Sequence, residues 1–250
     1  MVETWKTPPW DLITLRDAVK RSHSEDMARK TYQCTQSLAT RQDYMKYHYW
    51  EAKRLLGDTL SNSDSLTVAA EYIFGVTPEK YHAFHHKRMQ VEANLLALLQ
   101  CVHASYDHLG HVLYFALNFD ANPNQRADEH RISIHHVSSK LPAGPLKGAV
   151  NALIADKTMK HVAALVNTSK HRNIVHTPVV VGCSDDKQPH GLRFSRFKYR
   201  GKWYPDEWAM PFVNTAFDTF QAHMTCIRIL LHEQLEIQHL CNLRLPPPNH

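Results

Sequence analysis

The chain has 250 residues, of which 43% are hydrophobic and 21% are charged. That length and apolar content can fill one sizeable core or two small ones, and the balance excludes a generally disordered chain. The net charge of +5, with nineteen histidines counted as neutral, favours a partner of negative charge.

Other classes of protein are excluded by missing motifs. Eight scattered glycines leave no phosphate loop and no dinucleotide fingerprint. No apolar run approaches the roughly 18 residues of a membrane span, and the opening "MVETWKTPPW" lacks the apolar region of a signal peptide. The five cysteines form no CxxC pair, so we expect reduced thiols. These features predict a cytoplasmic protein with no cofactor and no membrane partner.

The first half of the chain predicts long helices. Residues 26–57 contain no proline or glycine before Gly57 and predict one helix, and 64–74 predict a short one. A helix of roughly forty residues is expected to follow, because Thr77 can cap it and Pro78 suits its first position. Its apolar residues recur at spacings of three and four: Leu95, Leu99, Val102, Tyr106, Leu109, Val112 or Leu113, and Ala116.

Shorter elements follow after the break at "DANPNQRADEH". "RISIHHVSSKL" predicts one short helix that ends at a turn over 142–145. Residues 146–156 and 157–175 predict two helices or one bent helix, which Pro178 ends. The last helix is predicted over 211–241, where apolar residues again recur every three or four positions.

The only β region is predicted over 178–204. "TPVVVGC" and "GLRFSRFKYRGKWY" are rich in β-branched or aromatic residues, and the turn-rich "SDDKQPH" separates them, so we expect a hairpin. The apolar phase slips between Phe194 and Phe197, which predicts a bulge. The fold class is therefore mainly α: an antiparallel helical bundle with a small β-hairpin inserted before the last helix. We expect a single domain over 1–250, with the bundle formed by 26–177 and 205–243.

Polar residues border the apolar stripe of the longest predicted helix. His103, Asp107 and His111 are spaced by four residues, and Glu92 points the same way because it lies about three turns before His103. With a ligand from another helix, the first three could hold a metal ion. Alternatively, His103 and Asp107 join a hydrogen-bonded network inside the bundle, since a buried carboxylate needs a partner. Surface exposure is the third alternative.

A basic segment occupies the last part of the chain. Residues 140–202 contain twelve Lys or Arg and three acidic residues. Cations can hold phosphates while the aromatic residues between them stack on unpaired bases. The alternative is a two-faced strand, with aromatic residues toward the bundle and cations toward water. The cations expected to bind nucleic acid are Arg193, Arg196, Lys198 and Arg200, and the aromatic residues between them are Phe194, Phe197, Tyr199 and Trp203.

The segment "VNTSKHRNIVHT" places further cations at the end of the helix predicted over 157–175. On that helix, Arg172 and His176 are i, i+4 neighbours. A guanidinium can hold a phosphate through two hydrogen bonds and an imidazole can transfer protons near neutral pH, which suffices for RNA cleavage without a metal. The alternative is a helix end that carries cations because the helix dipole favours them there.

The all-helical pattern and the segment "KHRNIVH" resemble the HEPN superfamily. These are helical-bundle domains, many of which are ribonucleases or toxin-like components of prokaryotic defence systems. Arg172 and Asn173 match the arginine–asparagine start of the family motif and His176 matches its histidine. Only three residues separate Arg172 from His176, fewer than in the family pattern. The resemblance covers residues 77–177 and the last helix.

The resemblance implies a homodimer that cleaves RNA or binds RNA or a nucleotide, without a metal. It makes Arg172 the phosphate clamp and His176 or His171 the acid–base group. Its facing helix, "EANLLALLQCVHASYDHLGHVLY", places Glu92, His103 and Asp107 near the cluster, and Asn167 and Lys170 support the phosphate.

Two alternatives to this function stay open at the level of sequence. One is a non-enzymatic interaction module in which His103, Asp107, His171 and Arg172 form a buried polar network. The other is a metal-dependent hydrolase built on His103, Asp107 and His111.

Overall fold

The computed structural model describes residues 10–57, 77–180 and 191–244, so the helix predicted over 64–74 lies outside the described residues. Within them the mainly α fold class is confirmed, and a small antiparallel strand set precedes the last helix. The helices are α1 (Leu12–Ser22), α2 (Glu25–Gly57), α3 (Pro78–Ala116), α4 (Ile134–Lys140), α5 (Pro145–Ala155), α6 (Lys157–His171) and α7 (Ala209–Arg244). The strands are β1 (Val179–Val180), β2 (Gly191–Phe194), β3 (Phe197–Tyr199), β4 (Lys202–Tyr204) and β5 (Glu207–Trp208).

The helix starts follow ordinary capping chemistry. Helix α1 was not predicted, although Asp11 caps it by accepting a hydrogen bond of 2.9 Å from the backbone N–H of Thr14. Helix α3 begins as expected, because the Thr77 hydroxyl accepts from the N–H of Lys80 at 3.4 Å. The apolar stripe predicted for α3 is confirmed: all of its positions are buried except Tyr106, which is half-buried.

The described residues divide into two compact units. The first comprises those of Met1–Gln42, Val102–Lys160 and Asp218–His250, and the second those of Asp43–Cys101 and His161–Phe217. Helices α2, α3, α6 and α7 each contribute a stretch to both units. The single domain expected over 1–250 stays a prediction.

No helix within the described ranges is long and apolar enough to cross a membrane.

Each unit has its own buried apolar side chains. In the first unit the buried set includes Leu15, Val19, Leu38, Leu109, Leu113, Val150, Leu153, Phe220 and Ile227. In the second it includes Met45, Tyr49, Leu95, Leu98, Leu99, Val162, Leu165, Phe194, Phe212 and Phe217.

The β region is more than one hairpin. Strand β2 pairs antiparallel with β1 and with β5, and among the described strands β3 pairs with β4 alone. The predicted bulge is wrong, because the chain leaves β2 after Phe194 and starts β3 at Phe197. Between them, the N–H of Ser195 donates to the carbonyl of His176 at 2.9 Å. The interruption lets both phenylalanines face inward, which explains the slip in apolar phase.

The β3–β4 hairpin has a two-residue turn. Arg200 and Gly201 have φ angles of 48° and 83°, and positive values at both central residues match the twist of a tight hairpin. Across the strands, Lys198 pairs with Trp203, and both are exposed. The two strands of the hairpin thus present a basic residue and an aromatic residue side by side to solvent.

Candidate nucleic-acid interface

Helix α6 ends at His171 rather than at the predicted Val175. Its last turn closes because the carbonyl of Thr168 accepts from the N–H groups of both Arg172 and Asn173, at 3.0 and 3.2 Å. Arg172 and His176 therefore lie outside the helix, and the prediction that they are helical i, i+4 neighbours is wrong.

Four side chains of the predicted cluster face solvent. Asn167 is different, because it is half-buried and its amide donates to the carbonyl of Ala163, one turn earlier, at 2.8 Å. Asn167 is thus engaged with its own helix. The exposed residues are Lys170, His171, Arg172 and His176.

Two contacts hold the segment after α6 against the strands. The Arg172 guanidinium lies 5.6 Å from the centroid of the Tyr199 ring, which is within the range of a cation–π interaction. At the other end, the His176 carbonyl accepts the hydrogen bond from Ser195. The segment therefore joins the same surface as the β3–β4 hairpin.

Glu92 on α3 interacts electrostatically with His176. Burial raises the pKa of the Glu92 carboxyl, while Arg88 and His176 act in the opposite direction. The resemblance placed Glu92 near the cluster, and in the structure Glu92 interacts electrostatically with one residue of that cluster, His176.

His103 and Asp107 belong to the first unit, whereas Arg172 and His176 belong to the second. The Nδ1 of His111 donates to the backbone carbonyl of Asp107, one turn earlier on the same helix, at 2.8 Å. No three His, Cys, Asp or Glu side chains among the described residues are grouped so that they could hold a metal ion. The buried polar network is also at odds with the structure, since Asp107, His171 and Arg172 are exposed.

Five cation–π pairs lie on and beside the strands of the second unit. We call the residues of these five pairs, together with Lys198, the basic–aromatic surface. In each pair the cation lies between 5.1 and 5.6 Å from a ring centroid. The pairs are Arg172 and Arg200 with Tyr199, Arg193 with Trp208, Arg196 with Trp203, and Lys202 with Tyr204.

The alternative of a two-faced strand, with aromatic residues toward the bundle and cations toward water, describes only part of this surface. Phe194 and Phe197 are buried, as that alternative requires, but Trp203 is 61% exposed. Arg193 is held by an ion pair with Asp206. Four further cations lie in or next to the β3–β4 hairpin and form no ion pair with a described carboxylate. They are Arg196, Lys198, Arg200 and Lys202.

His161, which the sequence patterns did not single out, lies under the hairpin. Its ring centroid is 5.6 Å from that of Phe197, 5.1 Å from that of Tyr204 and 4.7 Å from that of Phe212. Its Nε2 is buried without a hydrogen-bond partner among the described residues. Burial, helped by the charge of Lys202, lowers the pKa of the imidazole to about 4. The only signal in the sequence was a lone histidine in an apolar stretch of α6.

His161 is expected to make folding sensitive to acid. Its pKa is about 4 in the folded state against 6.5 without burial, so its contribution is complete above 6.5 and is lost as pH falls toward 4. We expect the unfolding free energy of the natural protein to fall by about 2 kcal/mol more, between pH 7 and pH 5, than that of His161→Phe. Urea unfolding at both pH values measures the difference, and equal losses would contradict this account.

Comparison with known proteins assigns no family to the chain. No family model matches it, and neither does any curated protein or solved structure. The HEPN resemblance therefore stays a prediction that rests on the segment 170–176 and on the helical pattern.

Proposed function

We propose that this protein binds single-stranded RNA through the basic–aromatic surface. The observation that carries the proposal is the outward face of the β3–β4 hairpin. There, Trp203 is exposed beside its cross-strand neighbour Lys198, and the Arg196 guanidinium lies 5.5 Å from its ring centroid. A solvated tryptophan beside cations offers a stacking platform for a base and a charge for the adjoining phosphate.

An unpaired base suits this surface better than a duplex does. Stacking on Trp203 requires the face of a base, which is covered by its neighbours inside a double helix. Because successive side chains of a strand point to opposite faces, Lys198 and Trp203 share the outward face of the hairpin, where they can hold one base and its adjoining phosphate. Arg172 extends the charged track from the hairpin to the end of α6, through its contact with Tyr199.

The charge contribution is tested by the salt dependence of binding. For the triple variant Arg196→Ser, Lys198→Ser and Arg200→Asn, we expect the slope of log affinity against log salt to become shallower by up to about 2, since each lost phosphate contact removes about 0.7. Asparagine is used at Arg200 because it tolerates a positive φ. Fluorescence anisotropy with a labelled single-stranded RNA measures the slope.

A matched control separates local contacts from overall charge. Serine at Lys20, Arg29 and Arg131 removes three exposed cations of the first unit and gives the same change in net charge. We expect this control to keep the natural slope. If both triple variants change the slope equally, the proposed surface is wrong.

Arg172 of this surface and the two exposed histidines on either side of it in sequence, His171 and His176, could also cleave the bound RNA. In this second step, which the HEPN resemblance suggests, His176 takes the proton of a 2′-hydroxyl, and the 2′-oxygen bonds to phosphorus. The bond from phosphorus to the 5′-oxygen breaks, leaving a 2′,3′-cyclic phosphate and a 5′-hydroxyl that receives a proton from an acid, for which His171 is exposed nearby in sequence. Arg172 stabilises the charged phosphorane.

Cleavage is tested apart from binding. The natural protein is incubated with single-stranded RNA and a chelator, beside Arg172→Ala and His176→Ala. We expect cyclic-phosphate products from the natural protein only, and none from a 2′-deoxy substrate that still binds. Equal cleavage by all three proteins, or binding without cleavage by the natural protein, would overturn the catalytic step.

A further inference from the structure

Three large aromatic side chains on α2 are exposed to solvent. Tyr44, Tyr47 and Trp50 are 53%, 63% and 50% exposed, and they recur every three residues. They lie opposite the buried positions Met45, Tyr49 and Ala52 of the same helix. Exposed aromatic residues grouped on one helix face mark an interaction site more often than single exposed residues do.

Charged residues frame these aromatic side chains in alternating order. Asp43, Lys46, Glu51 and Arg54 alternate in sign, with a further cation, Lys53, before Arg54. Within one chain they already form two ion pairs, Lys46 with Asp43 at 3.5 Å and Arg54 with Glu51 at 2.6 Å. Because a helix turns by about 100° per residue, Asp43, Glu51 and Arg54 fall on the same face as the aromatic residues, within an arc of about 120°. Lys46 lies at the edge of that face.

We propose that two copies of this chain associate through this face, with their α2 helices antiparallel. When the α2 helix of the second copy runs in the opposite direction, each charge of an alternating series faces a charge of opposite sign on the other copy. A parallel arrangement without stagger would place like charges together. The face is therefore complementary to itself only in the antiparallel direction.

One alignment matches every exposed residue on the face. When Tyr47 opposes Trp50 of the second copy, the two-fold axis makes Trp50 oppose the second Tyr47, which gives a central group of four aromatic rings. Asp43 then opposes Arg54 and Lys46 opposes Glu51, so each ion pair of one copy meets an ion pair of the other with opposite charges in contact. Tyr44 opposes Lys53, a cation that within one chain already lies 5.1 Å from the centroid of the Trp50 ring. Aromatic residues at the centre with a charged rim are the usual order of a protein interface.

The surface differs from the one that the HEPN resemblance implies. That family pairs its copies around the arginine–histidine motif, whereas the α2 face contains neither Arg172 nor His176. It also shares no residue with the basic–aromatic surface, so the association does not depend on RNA.

The test is the oligomeric state of nuclease-treated full-length protein by sedimentation velocity over a range of concentrations. We expect a reversible dimer, and a dissociation constant at least about tenfold higher in the double variant Tyr47→Ser and Trp50→Ser. Tyr81→Ser removes an aromatic residue that is 41% exposed on α3, outside the α2 face, and is expected to leave the constant unchanged.

Charge reversal tests the antiparallel alignment itself. Asp43→Arg opposes a cation to Arg54 of the second copy, so the dimer is expected to weaken. Adding Arg54→Asp restores opposite charges across the interface and is expected to recover the dimer. Circular dichroism confirms that each variant folds. A monomer at all concentrations, or a dimer that none of these substitutions weakens, would overturn the proposal.

Discussion

Replacing Trp203 with alanine is expected to weaken the binding of single-stranded RNA by about tenfold to a hundredfold. Stacking of one base on an aromatic side chain contributes roughly 1–3 kcal/mol, and Trp203 is the most exposed aromatic residue of the basic–aromatic surface. Its removal leaves no cavity, because 61% of the side chain already faces water. The unfolding free energy should therefore change by less than about 0.5 kcal/mol.

Two variants make this result specific. Trp203→Phe keeps an aromatic face and is expected to recover most of the affinity. Tyr81→Ala removes an exposed aromatic residue of the same unit that lies outside the surface, and it should bind like the natural protein. Anisotropy titrations at a fixed salt concentration compare all four proteins. Unchanged binding by Trp203→Ala would remove the stacking platform from the proposal.

Gly110→Ala is expected to destabilise the first unit by about 3 kcal/mol. A Cβ at this position of α3 would lie 2.6 Å from the backbone nitrogen of Ile134 and 2.7 Å from the carbonyl carbon of Ser133. Both atoms are backbone at the start of α4, so they cannot move aside as a flexible side chain could. The clash outweighs the gain in helix propensity, which is about 1 kcal/mol.

Gly148→Ala provides the opposite result from the same substitution. Gly148 lies within α5 and is exposed, and a Cβ at this position would meet no described atom within 4 Å. Alanine there should stabilise by about 0.5–1 kcal/mol through helix propensity and a less flexible unfolded chain. Thermal unfolding followed by circular dichroism compares the two variants. A melting temperature for Gly110→Ala at or above that of Gly148→Ala would show that the close approach of α3 and α4 does not exist.

The long helices could be predicted because their signals are local. Residues 26–57 and the segment from Thr77 follow apolar spacing and capping, and the structure agrees within about one residue. Helix α1 carried a local signal too, in the cap at Asp11. The end of α6 depended on which N–H groups the carbonyl of Thr168 would accept, and apolar spacing does not report that choice.

The strand partners could not be predicted, because pairing is a long-range choice. Strand β2 pairs with β5, whose two residues carry no strand signal of their own. The orientation of Trp203 follows from its pairing with Lys198, so the register had to be known first. For the same reason, the sequence identified the cations of the candidate site but not their cation–π partners.

Ultraviolet crosslinking of single-stranded RNA to the natural protein shows whether RNA lies on the basic–aromatic surface. The adducts are located on the chain by mass spectrometry of its peptides. We expect adducts between residues 172 and 208, with Tyr199 and Trp203 among them. Adducts confined to the first unit, or none under conditions where RNA binds, would contradict this expectation.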